Sequence, residues 1–184
     1  MIDQIKDTQS LLRFISAGNK VKYVFFWGHK EADEAVTKAC LSQWYSSPFE
    51  YDGFVYKTAE HFMMVEKAKL FDDHEKIQEI LKADDPGKVK SIGRSIQYFN
   101  QAVWDEHKVG IAVRGNFEKF RQNKKLEEFL VNTKQRVLVE ASPVDKIWGV
   151  GLESKDPLIE NPNDWQGRNL LGFSLMQARQ QLMK

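Results

Sequence analysis

The spacing of apolar residues along the chain predicts a protein built mainly from helices. Apolar positions recur every three or four residues in seven segments, and this period is typical of amphipathic helices. Gly110 and Gly115 weaken the longest of these predictions, because glycine disfavours a helix interior. The predicted helices are 8–17, 58–71, 74–81, 86–96, 102–122, 126–131 and 169–182.

Other segments follow a strand pattern or none. Runs of β-branched and aromatic residues predict buried strands at 21–27 and 136–141. Residues 49–56 predict a hairpin, since Asp52-Gly53 suits the positive φ angles of a type I′ turn. The charged segment 29–40 is interpreted as a loop or short helix, and 142–166 as a long loop. Loops of that length in compact domains are often functional.

These elements predict an α+β fold, a helix-dominated single domain around a small β-sheet. No linker divides the chain, so we expect one domain over residues 1–184, with a core of about 21–183 and an N-terminal extension of 1–20. No apolar run approaches the roughly 20 residues of a membrane helix, and no signal peptide is recognised. We therefore expect a cytoplasmic protein with no membrane partner.

Charge and cysteine content narrow the classes of chemistry. The formal net charge is +1, which predicts no strong global attraction to nucleic acid. The single cysteine, Cys40, excludes an internal disulfide framework, and the four histidines lack metal-ligand spacing. We expect neither a bound metal nor a cofactor.

The helix 58–71 carries the first candidate catalytic group, Glu60. In a first helical turn a glutamate commonly interacts with the helix dipole, by about 0.3–1 kcal/mol. If aromatic neighbours such as Trp44 bury it, its pKa rises and it can act as a general acid near neutral pH. Lys67 lies seven residues on, about 10 Å away along the helix. It could flank the same ligand or simply extend to solvent.

Two tryptophans stand close to carboxylates. Trp104 precedes Asp105, and Asp145 leads to Trp148 in a glycine-containing loop. An indole can stack on a flat base while an acid handles protons or ribose hydroxyls, but buried core packing is the commoner role of tryptophan. Gly149 and Gly151 after Trp148 would let the backbone approach a ligand closely.

Two arginines are candidates for binding an anion. Arg168 and Asn169 precede the last helix, whose N-terminus favours phosphate, although Asn169 could also be an ordinary N-cap. Arg94 ends a predicted helix, where it could bind a phosphate or the helix C-terminus.

Taken in order, these motifs resemble the NADAR superfamily, which includes YbiA-like N-glycosidases of riboflavin biosynthesis intermediates. The resemblance extends from Tyr23 to Arg179. It departs at Glu66, where many members have Gln, at Gly115-Asn116, and in the length of 29–40. The matching blocks are 41–49, 53–62, 66–68, Gly93-Arg94, Trp104-Asp105, 119–123, 138–143, Asp145, Trp148-Gly149 and 169–172.

The resemblance implies hydrolysis of the C–N glycosidic bond of a ribosylaminopyrimidine phosphate, which releases ribose 5-phosphate. It implies Glu60, Asp145 and Lys67 as catalytic residues, with Lys67 either binding or forming an imine. Two alternatives remain open: removal of ADP-ribose from guanine in nucleic acid, and a non-catalytic ADP-ribose-binding module. The expected partner is a small ribosyl-phosphate or ADP-ribosyl molecule. The expected substrate-binding residues are Trp44, Arg94, Trp104, Trp148, Arg168 and Asn169.

Overall fold

The structure is a computed structural model that describes residues 2–30 and 35–184 of the chain. The seven predicted helices and the predicted α+β fold are confirmed. Residues 31–34 of the predicted 29–40 loop lie outside the described part, and Lys38–Leu41 forms a short 3-10 helix. The helices are α1 Thr8–Ser16, α2 Ala59–Leu70, α3 His74–Lys82, α4 Pro86–Arg94, α5 Gln101–Gln122, α6 Lys124–Asn132 and α7 Leu170–Leu182. The strands are β1 Tyr23–Phe26, β2 Phe49–Tyr51, β3 Phe54–Tyr56 and β4 Val137–Glu140.

The four strands of the described residues form two separate pairs. β1 and β4 are parallel, with Tyr23 opposite Val137 and Phe26 opposite Glu140. β2 and β3 form the predicted hairpin, and both turn residues, Asp52 and Gly53, have positive φ. The sequence predicted one small sheet, whereas the described residues form two. Strand patterns locate strands but do not specify which strands pair.

Helix α2 begins at the predicted N-cap. The Thr58 hydroxyl accepts a hydrogen bond from the backbone N–H of His61 at 3.3 Å. The N–H of Glu60 donates instead to the carbonyl of Gln43, at 3.0 Å, and this bond attaches the loop before β2 to the start of the helix. Buried residues occupy most of α2, so the helix crosses the interior of the protein.

Two hydrophobic cores lie on either side of the long helix α5. One contains β1, β4 and α7, and the other contains the hairpin with α2, α3 and α4. Phe120 of α5 belongs to the first core and Ile111 to the second. Helix α5 continues through Gly115. The Phe62 ring packs against this position so closely that a side chain there would collide with it. Its cost in helix propensity is offset by close packing.

The N-terminal segment is attached to the first core. Leu11 of α1 is fully buried among its residues. The division into an extension of 1–20 and a core of about 21–183 stays a prediction. No helix in the described ranges has the length and apolar character needed to cross a membrane.

Candidate active site

A cavity of about 560 Å³ opens where the two parallel strands end. Residues after β1 and after β4 form one side, and residues of α2 and α4 form the other. The carboxyl ends of parallel strands are common places for ligands, because the chain diverges there into loops. The lining residues are Trp27, Gly28, His29, Ser42, Gln43, Trp44, Glu60, Met63, Lys90, Arg94, Glu140, Ser142, Val144, Asp145, Trp148 and Leu171.

A larger cavity, of about 670 Å³, lies elsewhere, between α1, β1 and residues 160–163. Its charged lining residues are Lys20, Lys22 and Glu160, and both lysines are at the surface. It contains none of the predicted site residues. We therefore assign the candidate active site to the cavity at the strand ends.

Glu60 lies at the floor of this cavity and is only 3% exposed. Its Oε1 atom has no hydrogen-bond partner among the described residues. Burial raises the pKa of this carboxyl to about 7, and the charge of Asp145 adds to the rise. Lys90, a hydrogen bond from the Trp44 side chain, and Arg94 act in the opposite direction. A carboxyl in this pKa range is suited to general acid–base catalysis near neutral pH.

Glu140 is a second carboxyl in the same cavity, and the sequence reasoning did not select it. It is the last residue of β4, and its Oε2 atom is buried with no hydrogen-bond partner among the described residues. Burial raises its pKa to about 8, with further increases from Asp145 and Glu60 and an opposing effect of Lys90. The sequence did contain a signal for Glu140, because a carboxylate stands at the end of a predicted buried strand, next to a long loop.

Asp145 lies opposite α4 and is held by its own loop. Its Oδ1 atom accepts hydrogen bonds from the backbone N–H groups of Ile147, at 2.9 Å, and Trp148, at 2.8 Å. Its Oδ2 atom lies 3.8 Å from Nζ of Lys90. The carboxylate thus fixes the turn that carries Trp148 and leaves one oxygen facing a cation of the cavity.

Two cations of α4, one helical turn apart, face the cavity. Lys90 lies 6.0 Å from the centroid of the Trp44 ring and was missed by the sequence reasoning. Arg94 is exposed, and its guanidinium makes no hydrogen bond or ion pair within the described residues. The two side chains give this wall of the cavity positive charge, which suits an anionic ligand such as a phosphate.

Lys67 does not line the cavity. Its Nζ donates to the carbonyl of Gly93 at 2.6 Å and lies 4.3 Å from the centroid of the Phe99 ring. Burial lowers its pKa, while Glu60 raises it and Arg94 lowers it. Its contact with Gly93 attaches α2 to the end of α4, directly before Arg94. Lys67 therefore lies behind the cavity wall and is connected to the site through the backbone of Gly93.

Trp104 and Trp148, both expected to bind the substrate, lie in different places. Trp148 lines the cavity and packs against both cores. Trp104 is 8% exposed within the second core, 5.6 Å from Nζ of Lys67 by its ring centroid, and is absent from the cavity wall. Trp104 is therefore a core residue, which was the alternative interpretation of its sequence motif.

The glycines after Trp148 make room for the protein itself and not for a ligand. A side chain at Gly149 would lie 2.9 Å from the carbonyl oxygens of both Asp145 and Glu140. At Gly151, with φ of +73°, the neighbouring atoms belong to Gln166 and Lys146. The close approach that we expected for a ligand is occupied by packed chain.

Arg168 and Asn169 also lie outside the cavity lining. Asn169 occupies the N-cap position of α7 in the left-handed region, but its side chain makes no capping bond. Its amide instead bonds β4, donating to Leu138 O at 2.9 Å and accepting from Glu140 N at 3.0 Å. Arg168 is exposed on the surface. The expected anion site at this helix start is not formed by these side chains.

Comparison with known proteins identifies the class to which this fold and site belong. Residues 25–183 match the NADAR domain, and the chain belongs to the NADAR family. The resemblance stated from the sequence is confirmed.

Three relatives make the identification more specific. N-glycosidase R617 of Acanthamoeba polyphaga mimivirus is 41% identical over 165 residues, which cover 87% of this chain and 96% of that protein. The riboflavin biosynthesis protein PYRR of Zea mays, a chloroplastic protein, is 33% identical over 139 residues, 72% of this chain and 20% of its own length. The NMR structure of Escherichia coli YbiA matches with a TM-score of 0.71 and 25% identity, covering 90% of this chain and 87% of that one. The predicted enzyme class, a hydrolase acting on N-glycosyl compounds, is confirmed, since R617 and the YbiA protein of Escherichia coli are both named N-glycosidases.

Proposed function

We propose that the protein is an N-glycosidase that cleaves ribosylaminopyrimidine phosphates and releases ribose 5-phosphate. The observation that carries this proposal is the buried carboxyl of Glu60, which has a pKa of about 7. The cavity around it also contains cations and indole rings. The names of the relatives supply the bond type, and the maize relative supplies the metabolic class.

Cleavage of a ribosylamine builds positive charge on the sugar ring as the C1–N bond lengthens. The ionised Glu60 stabilises that charge and accepts a proton from the attacking water, whose oxygen bonds to C1. Asp145 supports the same charge from the opposite side and holds the turn of Trp148. The flat aminopyrimidine lies against Trp148 or Trp44, since stacking on an indole is tolerant of the base.

The phosphate of the substrate binds to Arg94 and Lys90 on α4. Arg94 has no competing hydrogen bond or ion pair in the described part of the chain, and the acidic partner of Lys90 there is Asp145, at 3.8 Å. A phosphate that bridges these two side chains would position C1 above Glu60. Arg168, the other predicted phosphate ligand, lies away from this cavity, and we assign it no role in binding.

A turnover assay tests the proposal directly. The protein is incubated with a ribosylaminopyrimidine 5-phosphate, and free ribose 5-phosphate and aminopyrimidine are quantified. Glu60→Gln is expected to reduce kcat by a factor of about 100 to 10,000 while the protein stays folded, since a general base contributes about that much. Near wild-type turnover by folded Glu60→Gln would contradict the role of Glu60.

Lys67 offers a different mechanism, in which its amine captures the open-chain sugar aldehyde as an imine. That reaction needs a deprotonated amine, and burial lowers the pKa of Lys67. However, its Nζ donates to Gly93 O, and the side chain would have to rotate to reach the cavity. Borohydride added during turnover distinguishes the two, because it reduces an imine to a stable adduct on Lys67 and leaves direct hydrolysis unaffected.

A second candidate function is removal of ADP-ribose from guanine. Trp27 at the cavity rim is 57% exposed and offers a stacking surface for the additional base of a larger substrate. The same assay with ADP-ribosylated guanine DNA separates the candidates, since ADP-ribose and ribose 5-phosphate are distinct products. A non-catalytic module would bind ADP-ribose and release neither product.

A further inference from the structure

Glu140 and Glu60 occupy one cavity but enter it from different layers of the fold. Glu140 ends β4, on the sheet side, and Glu60 lies in the first turn of α2, on the helical side. Each has one side-chain oxygen that is enclosed by protein and unbonded within the described residues. Buried carboxyl oxygens normally have hydrogen-bond partners, so two such atoms in one cavity indicate positions meant for a ligand.

The backbone of Glu140 is fixed from two sides. Its N–H donates to Asn169 Oδ1 at 3.0 Å, and its carbonyl accepts from Val150 N–H at 3.0 Å. Its pairing with Phe26 in the sheet adds a third constraint. The side chain therefore extends from a rigid backbone. A catalytic group needs such support to stay within hydrogen-bond distance of a substrate atom.

We propose that Glu140 is the proton donor of the reaction: its carboxylic acid protonates the nitrogen that leaves C1, while Glu60 acts on water. This assignment rests on the proposed function and adds a second catalytic residue to it. The water oxygen bonds to C1 and gives one proton to the Glu60 carboxylate. The C1–N bond breaks, its electron pair stays on nitrogen, and nitrogen receives the proton of Glu140. One water is consumed, and a proton returning from Glu60 to Glu140 restores the starting state.

The charges around Glu140 support this order of roles. Asp145 on the following loop and Glu60 on α2 are acidic, and both disfavour a third negative charge. Lys90 on α4 acts against them, and Arg94 of the same helix and His29 after β1 also line the cavity. Two coupled carboxyls in one site separate into one that holds its proton and one that releases it. Among the described residues, Asp145 and Glu60 oppose ionisation of Glu140 and only Lys90 favours it, whereas Lys90, Arg94 and the Trp44 side chain all favour ionised Glu60, so Glu140 holds the proton.

The test compares leaving groups. An aminopyrimidine riboside 5-phosphate needs a proton on its nitrogen, whereas 4-nitrophenyl riboside 5-phosphate releases a stable phenolate without one. Glu140→Gln is expected to lose a factor of about 100 to 10,000 in kcat on the first substrate and less than about tenfold on the second. Glu60→Gln, the matched control, is expected to lose activity on both. Equal losses on both substrates by Glu140→Gln, or no loss on either, would overturn the assignment.

A measurement on the resting protein separates this proposal from the proposed function. The side-chain carboxyl of Glu140, labelled with ¹³C and assigned by its loss in Glu140→Gln, is titrated by NMR. A midpoint above that of Glu60 supports the proton-donor role. A midpoint at or below that of Glu60 overturns it, even if the wild-type protein cleaves every substrate. Absence of turnover by the wild type on both ribosides refutes the proposed function, and the donor role with it, whatever the titration shows.

Discussion

Asn169 bonds the backbone of Glu140 from a position 29 residues further along the chain. Its Oδ1 atom accepts the N–H of Glu140 at 3.0 Å, and its Nδ2 atom donates to the carbonyl of Leu138 at 2.9 Å. The start of α7 thereby closes the outer edge of β4, which has β1 on its other side. A residue that the sequence suggested for ligand binding instead supports the strand that delivers a cavity carboxyl.

Replacement of Asn169 separates its two contributions. Asn169→Gly keeps the left-handed backbone, with φ of 52°, and removes the side-chain bonds to β4. We expect a loss of about 1–3 kcal/mol in the free energy of unfolding, because buried backbone groups lose their partners. Asn169→Ala should lose about 1 kcal/mol more, since an L side chain is strained in that region. Urea denaturation measures both, and equal stability of wild type and Asn169→Gly would contradict the role of the side chain.

Glu60→Gln is expected to stabilise the protein at alkaline pH while it reduces kcat. The folded-state pKa of about 7 lies above the ordinary glutamate pKa of 4.5, so the folded state binds the proton more tightly than the unfolded chain does. Wild-type stability therefore falls as pH rises from about 4.5 to 7, by about 3 kcal/mol in total. Glutamine avoids this loss.

The melting temperature of Glu60→Gln should accordingly exceed that of the wild type at pH 8 and approach it near pH 4.5. Glu128→Gln, at an exposed position of α6, is the matched control and should change neither stability nor kcat. A destabilised Glu60→Gln at pH 8 would show that Glu60 is structural and that burial does not disfavour its ionised form.

Trp44→Phe tests the hydrogen bond from the indole to Glu60. This bond favours the ionised carboxyl and therefore lowers its pKa. Without it, the acidic limb of the kcat/KM profile should move upward by about one pH unit, since a hydrogen bond to a charged group contributes about 1.5–3 kcal/mol and relaxation recovers part of it. Phenylalanine keeps most of the apolar surface. An unmoved acidic limb would mean that Trp44 contributes only packing.

Arg94→Ala is expected to raise KM for the phosphorylated substrate by a factor of about 10 to 100, since a charge-assisted hydrogen bond contributes about 1.5–3 kcal/mol. The dephosphorylated substrate should show the same KM with wild type and variant. Lys88→Ala, an exposed lysine of the same helix, is the control and should bind both substrates normally. A parallel loss on both substrates would assign Arg94 a role other than phosphate binding.

Gly93→Ala probes how closely α2 and α4 approach each other, and Gly110→Ala in α5 is its control. A side chain at Gly93 would collide with Met64 of α2, whereas at Gly110 it would meet nothing within 4 Å. Gly93→Ala should destabilise by about 1–3 kcal/mol through overpacking. It should also raise KM, because Arg94 follows directly. Gly110→Ala should stabilise by up to about 1 kcal/mol through helix propensity. Thermal unfolding and kinetics on both variants give the comparison.

The sequence predicted local structure well because its signals are local. Thr58 as an N-cap and Asp52-Gly53 as a hairpin turn depend on neighbouring residues, and the structure contains both. The pairing of β1 with β4 joins segments more than 100 residues apart, and no local pattern specifies it. The cavity depends on that pairing, so its full composition was not accessible from the sequence.

The candidate site shows the same division. Glu60, Arg94, Asp145 and Trp148 were selected from motifs, and the structure brings them to one cavity. Lys90 and Glu140 were missed because their orientation depends on tertiary structure. Lys90 faces the cavity because of how α4 packs, and Glu140 because β4 ends there. Trp104 and Asn169 were selected and lie elsewhere, since tryptophan and asparagine have structural roles that their motifs do not distinguish.

The parallel pairing of β1 with β4 has a consequence for how the protein becomes active. Loop closure over such a separation is slow, because most of the chain must be ordered before the contact forms. The helical side that carries Glu60 can assemble from nearby segments, whereas the Glu140 side waits for β4 and the Asn169 bonds. During synthesis, therefore, the side of the cavity that carries Glu140 forms only after β4 and the start of α7 have been made, so a partly folded chain lacks the complete cavity.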